Sequence, residues 1–290
     1  MEKKIFHTLN LTKQGETFMK LRTLLLASAA VMFTTSAMAV DFTNPFYLPA
    51  KGKFLSDTSI ETNRGKTDTG SYEGVEKSAY AREELTYGLT DSFALVAGIG
   101  NEFDYDKDDN YNNDHNFDYT LGIKYNYVNG KLMTQTGIMY NTWNEETYTS
   151  DYYTDDETNE RWMKELSGYI RIGYDMGCIT PYTEFTALGE LDRDANEQEY
   201  SWKLGVLKAW NDTRFNAGVR YTFDETEDSD GGNGHNERVD LEIGVDYLVT
   251  DNFSIGAYAE YYLGGDAREE VEPKDIEYDR TIGLNAKVAF

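Results

Sequence analysis

Apolar and polar residues alternate one by one along the end of the chain. The apolar parity holds Ile282, Leu284, Ala286, Val288 and Phe290, and the other parity holds Thr281, Gly283, Asn285, Lys287 and Ala289. A strand with this repeat can lie between lipid and a polar lumen. An ordinary half-buried edge strand alternates in the same way, so the rest of the chain has to decide between the two.

The same alternation recurs upstream and predicts about twelve strands. They are expected near 52–62, 76–89, 92–103, 116–127, 131–143, 161–174, 178–189, 198–210, 213–223, 237–249, 252–263 and 277–290. Most exceed the roughly five or six residues usual in soluble proteins and match the ~9–11 residues that cross a bilayer at a tilt. Aromatic residues concentrate near the ends of the apolar faces, as in membrane barrels.

Two kinds of connection alternate strictly between these strands. Tight turns rich in Asn, Asp and Gly are expected at Thr90-Asp91, Asn129-Gly130, Asp175-Met176-Gly177, Asn211-Asp212 and Thr250-Asp251. Longer loops are expected near 63–75, 104–115, 144–160, 190–197, 224–236 and 264–276. Short periplasmic turns and long extracellular loops characterise outer-membrane barrels. The sequence therefore predicts an all-β, transmembrane, antiparallel up-and-down barrel over residues 52–290.

The N-terminus has the pattern of an export signal. Lys20 and Arg22 precede the apolar run 24–33, and Ala37-Met38-Ala39 supplies a small-residue cleavage site. Residues 1–39 are expected to be an N-terminal extension plus a cleaved signal peptide, with Met19 as the start and cleavage after Ala39. Residues 40–51 would then form a periplasmic N-terminal segment.

The alternating strand that ends at Phe290 resembles the closing strand of Gram-negative outer-membrane β-barrels, in which a C-terminal Phe is part of the assembly signal. The resemblance covers residues 52–290 as a pattern and carries no motif of a particular subfamily. It implies location in the Gram-negative outer membrane. The implied partners are the barrel-assembly machinery, outer-membrane lipid and lipopolysaccharide, while the oligomeric state stays open.

Charge and cysteine content narrow the class further. The formal net charge is −25, and residues 1–39 hold five basic and two acidic residues, which leaves the mature chain near −28. This sign disfavours nucleic acid as a partner. The single cysteine, Cys178, cannot form an internal disulfide. No cofactor is predicted.

Acidic residues crowd the predicted long loops, where they solvate the surface or bind divalent cations. Asp104, Asp106 and Asp108 have the first spacings of a calcium loop. An EF-hand loop has Gly at its sixth position and Glu at its twelfth, where this sequence has Asp109 and His115. The segment therefore does not match an EF-hand. These three carboxylates are the candidate metal ligands, on their spacing alone.

Three of the predicted strands alternate imperfectly, which leaves their hydrogen-bond register open. The first has a thin apolar face, the second puts Glu83 on the apolar parity, and the eighth puts Lys208 there. A β-bulge that shifts the register is one explanation. For Lys208, a side chain that reaches to the membrane interface is another.

The polar parity of the strands supplies candidate lumen residues. They carry both signs of charge and are Arg82, Glu84, Lys124, Glu165, Arg171, Glu184, Lys203, Arg214, Arg220, Glu242, Glu260 and Lys287. A water-filled lumen with such walls would be a diffusion channel, whereas ion pairing throughout would close it. Twelve strands lie between filled eight-strand barrels and open sixteen-strand porins.

These features predict a porin-like passive channel for small polar solutes or ions. The alternative is a structural or surface-interaction barrel without transport, with acidic cation-binding loops. Third is an outer-membrane hydrolase that uses His115 or His235, both expected at loop margins. Among twelve-stranded families, oligogalacturonate channels use a basic lumen and nucleoside channels use aromatic residues, and Tyr169, Tyr182 and Tyr258 would suit the latter.

The segment 44–49, with two prolines, would tether the periplasmic end or fold into the lumen as a plug.

Deleting Phe290 is expected to lower the yield of assembled barrel, because the terminal aromatic residue is part of the assembly signal in proteins that this strand resembles. The measurement is the heat-modifiable folded fraction in outer-membrane preparations. An unchanged yield would count against the barrel interpretation.

Overall fold

Within residues 41–68, 73–104, 115–149, 157–191, 195–228, 233–268 and 273–290, which the computed structural model describes, the chain forms twelve strands. In chain order these are β1 (Phe54–Asp68), β2 (Glu73–Gly88), β3 (Phe93–Asp104), β4 (His115–Asn129), β5 (Leu132–Thr149), β6 (Glu157–Tyr174), β7 (Thr180–Glu190), β8 (Ala195–Trp210), β9 (Thr213–Asp228), β10 (Asn233–Thr250), β11 (Phe253–Arg268) and β12 (Pro273–Ala289). The expected signal peptide lies outside the described residues. No helix among the described residues is long and apolar enough to cross a membrane.

The strands close into one barrel in which each pairs antiparallel with its sequence neighbours and β12 pairs with β1. At the seam, the amide of Phe54 donates to the carbonyl of Phe290 at 2.7 Å, and the amide of Phe290 donates back at 2.9 Å. The two rings stack with centroids 5.4 Å apart. The expectation that the terminal strand closes the barrel against the first strand is therefore confirmed.

Burial separates the two parities of each strand as the sequence predicts. On β4, Leu121 is 61% exposed, whereas its neighbour Thr120 is 2% exposed. The outward side chains form an apolar surface that a membrane would cover, and the inward ones are small, polar or charged. Because the barrel leaves no free strand edge, its backbone groups are paired as a lipid environment requires.

The tight connections, the segment before β1 and the C-terminal residue lie at one end of the barrel, called the turn end, and the opposite end is called the loop end. In outer-membrane barrels the short turns face the periplasm. Gly130 and Asn211 have positive φ angles of 62° and 52°, as their turns require. The turn after β4 is Gly130-Lys131, one residue later than predicted.

The strands extend further towards the loop end than the sequence analysis predicts, so the predicted loops were too long. β1 continues to Asp68 rather than 62, and β5 continues to Thr149 rather than 143. Hairpin pairing persists beyond the apolar band, where outward residues no longer need to be apolar. Alternation in the sequence therefore marks only the lipid-facing part of a strand. The candidate calcium residue Asp104 ends β3, while Asp106 and Asp108 lie outside the described residues.

The bulge suggested near Glu83 is absent from the described β1–β2 pairing, which runs without a break. Glu83 faces outward, and its two carboxylate oxygens accept hydrogen bonds from the hydroxyls of Ser56 and Thr58 on β1. The apolar face of the first strand is thin because two of its outward positions hold hydroxyl residues, which donate to the lipid-facing carboxylate of Glu83. Lys208 also faces outward, within an unbroken β8–β9 pairing near the turn end, where its amine can reach the interface.

Replacing both Ser56 and Thr58 by Ala is expected to lower the free energy of unfolding by about 2 kcal/mol, because a lipid-facing carboxylate loses both donors. The measurement is urea unfolding in phospholipid vesicles, followed by tryptophan fluorescence. Thr62→Ala, on the same face of β1, is the control and should change stability by less than about 0.5 kcal/mol. Adding Glu83→Leu to the double variant should restore stability. A double variant as stable as the parent would contradict this account.

Candidate functional site in the barrel interior

The twelve lumen residues predicted from parity all lie on the inward faces of the strands. Lys124, for example, lies between the outward side chains of Ile123 and Tyr125, which are exposed. Their side chains are grouped into ion pairs rather than dispersed around the wall. The interior therefore combines a high density of charge with local neutralisation.

Several of these ion pairs lie on β6 to β11. Arg171 pairs with Glu184 on the neighbouring strand, and Lys203 pairs with Glu242. Arg220 lies 2.5 Å from Glu242 and 3.8 Å from Glu260. Strand register places Arg171, Glu184, Lys203 and Arg220 opposite one another in succession. Lys203 and Arg220 carry the same charge and lie opposite each other, and Glu242 pairs with both.

A second group lies on β2 and β4. Lys124 binds Glu84 at 2.6 Å across β3, and Arg82 approaches Glu84 at 3.6 Å. The Arg82 guanidinium also donates to the hydroxyl of Thr120 at 3.1 Å. β3 permits these contacts because its inward residues between them are small, including Ala94 and Gly98.

The remaining candidates have separate partners. Glu165 accepts a hydrogen bond from Asn141 at 2.8 Å. Lys287 lies 3.4 Å from Asp246. Arg214 does not contact the other candidates; it pairs at 2.8 Å with Asp41, which precedes the barrel.

Sequence reasoning missed Arg238 on β10, which binds three carboxylates. Its guanidinium lies 2.7 Å from Asp240, 2.6 Å from Asp279 and 3.5 Å from Glu260. Arg238 shares the inward parity with Asp240 and Glu242, so the alternation already pointed to it. It was overlooked because it falls at the margin of the predicted strand.

The segment before β1 folds inside the turn end of the barrel and is called the N-terminal plug (residues 41–49). Its side chains of Phe42, Phe46, Leu48 and Pro49 are buried. Two turns shape it, with the amide of Asn44 donating to Asp41 at 3.2 Å and that of Tyr47 donating to Asn44 at 2.8 Å. Burial also raises the pKa of the Tyr47 phenol, which stays neutral.

Inward side chains of the wall bind the plug backbone. Arg171 donates to the carbonyl of Pro45, and Asn126 donates to the carbonyl of Phe46. The guanidinium of Arg171 also lies 5.7 Å from the centre of the Phe46 ring, within cation–π distance. These contacts satisfy backbone groups that insertion into the barrel would otherwise leave unpaired.

Two glycines make room for the plug. A Cβ atom on Gly173 would lie 2.7 Å from the Phe46 ring, and one on Gly88 would lie 2.2 Å from the carbonyl oxygen of Pro49. The Phe46 ring packs edge-on against Tyr182, with centroids 6.2 Å apart. Shape and hydrogen bonding thus both fit the plug to this end of the barrel.

A cavity of about 580 Å³ remains between the plug and the wall. One side is lined by Asp57, Glu84, Lys124, Asp246 and Lys287, and the other by plug residues together with Gln135, Tyr169 and Arg171. The space is large enough for several water molecules or a small solute. The arrangement can hold polar solutes or ions in contact with both charge signs.

Of the two histidines considered for enzyme chemistry, His235 does not line this cavity. His235 lies on the outward parity of β10, and its ring centre is 6.4 Å from that of Phe223. The side chain of His115 lies outside the described residues. Among the described residues there is no group of three or more His, Cys, Asp or Glu side chains that could hold a metal ion.

Comparison with known proteins finds relatives in structure alone. No family model and no curated protein sequence matches the chain. An outer-membrane channel from Pseudomonas putida F1 superimposes with a TM-score of 0.62 at 13% identity, covering 87% of this chain and 100% of that one. The translocator domain of the autotransporter NalP from Neisseria meningitidis superimposes with a TM-score of 0.47 at 10% identity, covering 96% of this chain and 98% of that one. The KdgM porin in complex with disordered oligogalacturonate superimposes with a TM-score of 0.41 at 9% identity, covering 80% of this chain and 99% of that one.

The closed barrel, its apolar outer surface and its polar interior define the class. The protein is a β-barrel with the fold of Gram-negative outer-membrane proteins. The outer membrane is the location that this fold indicates.

Replacing Arg214 by Gln is expected to loosen the start of the plug, because the ion pair with Asp41 is lost. Such a partly exposed pair contributes about 1 kcal/mol, equivalent to roughly a fivefold change in an opening equilibrium. The measurement is the rate at which an impermeant thiol reagent labels Thr43→Cys, a buried position, in a Cys178→Ser background. The control, Lys208→Gln, removes an outward charge at the same end and should leave the rate unchanged. Equal labelling with and without Arg214 would show that the pair does not hold the plug.

Proposed function

We propose that this protein is a passive outer-membrane channel for small polar solutes or ions, with its turn end narrowed by its own N-terminal plug. The observation that carries the proposal is the cavity of about 580 Å³ between the plug and a charged wall. A barrel that served only as a scaffold would have no need of such a polar interior space. The fold neighbour with the TM-score of 0.62 is described as an outer membrane channel, which agrees with the proposal.

The plug suits a constriction better than a permanent seal. It is held by a few polar contacts, from Arg171, Asn126 and Arg214, and by packing of Phe46 against Tyr182. Each is a non-covalent contact of modest strength. Solutes would pass beside the plug through the cavity or would pass when the plug is displaced.

A second candidate, a structural barrel without transport, is favoured by the ion pairs that join β6 to β7, and β8 and β9 to β10. Paired charges of this kind stiffen a wall and also fill a lumen. Conductance separates this candidate from the channel. A hydrolase comes third, and lipid or peptide hydrolysis that disappears on replacing His115 or His235 would support it.

Deleting residues 41–49 is expected to raise single-channel conductance in planar bilayers by about twofold or more, because the plug occupies the turn end. A point-variant test uses Gly173→Val, whose side chain would occupy the position of the Phe46 ring and should raise conductance in the same direction. Gly168→Val, which faces outward on the same strand, is the matched control.

The absence of ion current from both the full barrel and the deletion variant would overturn the channel proposal in favour of the structural barrel. Current that is the same in both would leave a channel but remove the plug as its constriction.

A further inference from the structure

One carboxylate that lines the cavity has an oxygen without a partner. The Oδ1 atom of Asp57 on β1 is inaccessible to solvent, and no described residue donates a hydrogen bond to it. A buried, unpaired carboxylate oxygen is costly. Asp57 also lines the cavity beside the plug, so a molecule in that cavity lies next to this residue.

Register places Asp57 between charges of both signs. It stands directly opposite Glu84 on β2 and opposite Lys287 on β12. Opposite residues on neighbouring strands have Cβ atoms about 4.5–5.5 Å apart. Repulsion from Glu84 and attraction to Lys287 therefore act on Asp57 together.

Asp57, Glu84, Asp246, Lys124 and Lys287 form a cluster at this side of the cavity. Both lysines of the cluster are already paired with carboxylates other than Asp57. Lys124 binds Glu84 at 2.6 Å, and Lys287 lies 3.4 Å from Asp246. Asp246 also accepts a hydrogen bond from Asn285 at 3.3 Å. Arg82 also lies 3.6 Å from Glu84, so the basic groups nearest to Asp57 are paired with Glu84 or Asp246. Asp57 is left without an ion-pair partner among the described residues, and one cation beside it would supply that partner.

We propose that Asp57 is the binding site for a single monovalent cation, either an alkali ion or the ammonium group of a small solute, and that it makes the channel cation-selective. This inference rests on the proposed channel function. It goes further in naming the residue and the chemical class of the solute. The carboxylates of Glu84 and Asp246 add to the attraction, and the two lysines limit the site to one charge.

The first experiment measures the reversal potential of the purified barrel in a KCl gradient. The wild-type channel should favour K⁺ over Cl⁻, and Asp57→Asn should lower the permeability ratio by at least about threefold. Lys287→Met should raise the ratio, because it removes the cation that competes for Asp57. Asp212→Asn removes the same charge from an exposed turn at the same end and is the matched control. Replacing KCl by methylammonium chloride distinguishes an alkali ion from an ammonium group.

The second experiment needs no current. The free energy of unfolding of the wild-type barrel should rise with K⁺ or methylammonium relative to the bulky cation N-methylglucamine at equal ionic strength, because a ligand that binds only the folded state stabilises it. Asp57→Asn should abolish this dependence and should itself fold, since it removes an unpaired charge.

A channel that conducts without cation preference, or that keeps its preference in Asp57→Asn, would overturn the inference while leaving the channel function intact. A barrel that conducts nothing would overturn the channel function, and the stability experiment would then still decide the cation site. Stability that is independent of K⁺ and methylammonium in the wild-type barrel would show that the cavity holds water only.

Discussion

The whole structure depends on pairing every strand edge. In a membrane no water is present to bind free amide and carbonyl groups, so an open sheet is unstable there. Closure between Phe54 and Phe290 meets this constraint at the seam. Once the sheet is closed, alternate residues must face inward, and the polar parity of every strand becomes the wall of a common interior. The polar interior is thus a geometric consequence of closure.

Inside the barrel, charge is balanced by contacts between strands. Arg238 joins three carboxylates, and Arg220 and Lys203 share Glu242. Arg171 joins this balance to the plug, since it contacts both Glu184 and the carbonyl of Pro45. Displacing the plug would therefore change the surroundings of an ion pair in the wall.

Much of the fold could be predicted from the sequence, because lipid imposes a strict repeat on each strand. The alternation from Ile282 to Phe290 indicated the closing strand. Asn211 indicated a turn, and in the structure this residue has the positive φ angle that the turn requires. Strand ends at Asp68 and Thr149 could not be predicted, since strands outside the membrane need no apolar parity. Glu83 was misread because its donors lie on another strand. In the site, parity placed the lumen residues, but the pairing of Arg214 with Asp41 depends on how the plug enters the barrel.

The plug is joined to β1 by residues 50–53, and the amide of Gly52 is hydrogen-bonded to the carbonyl of Gly88 at 2.8 Å. A tether this short holds a released segment at a high effective concentration, on the order of millimolar. Closing is then an intramolecular event that does not depend on the amount of protein in the membrane. Such a segment would return to its seat soon after leaving it, and openings caused by its release would be brief interruptions rather than a lasting open state.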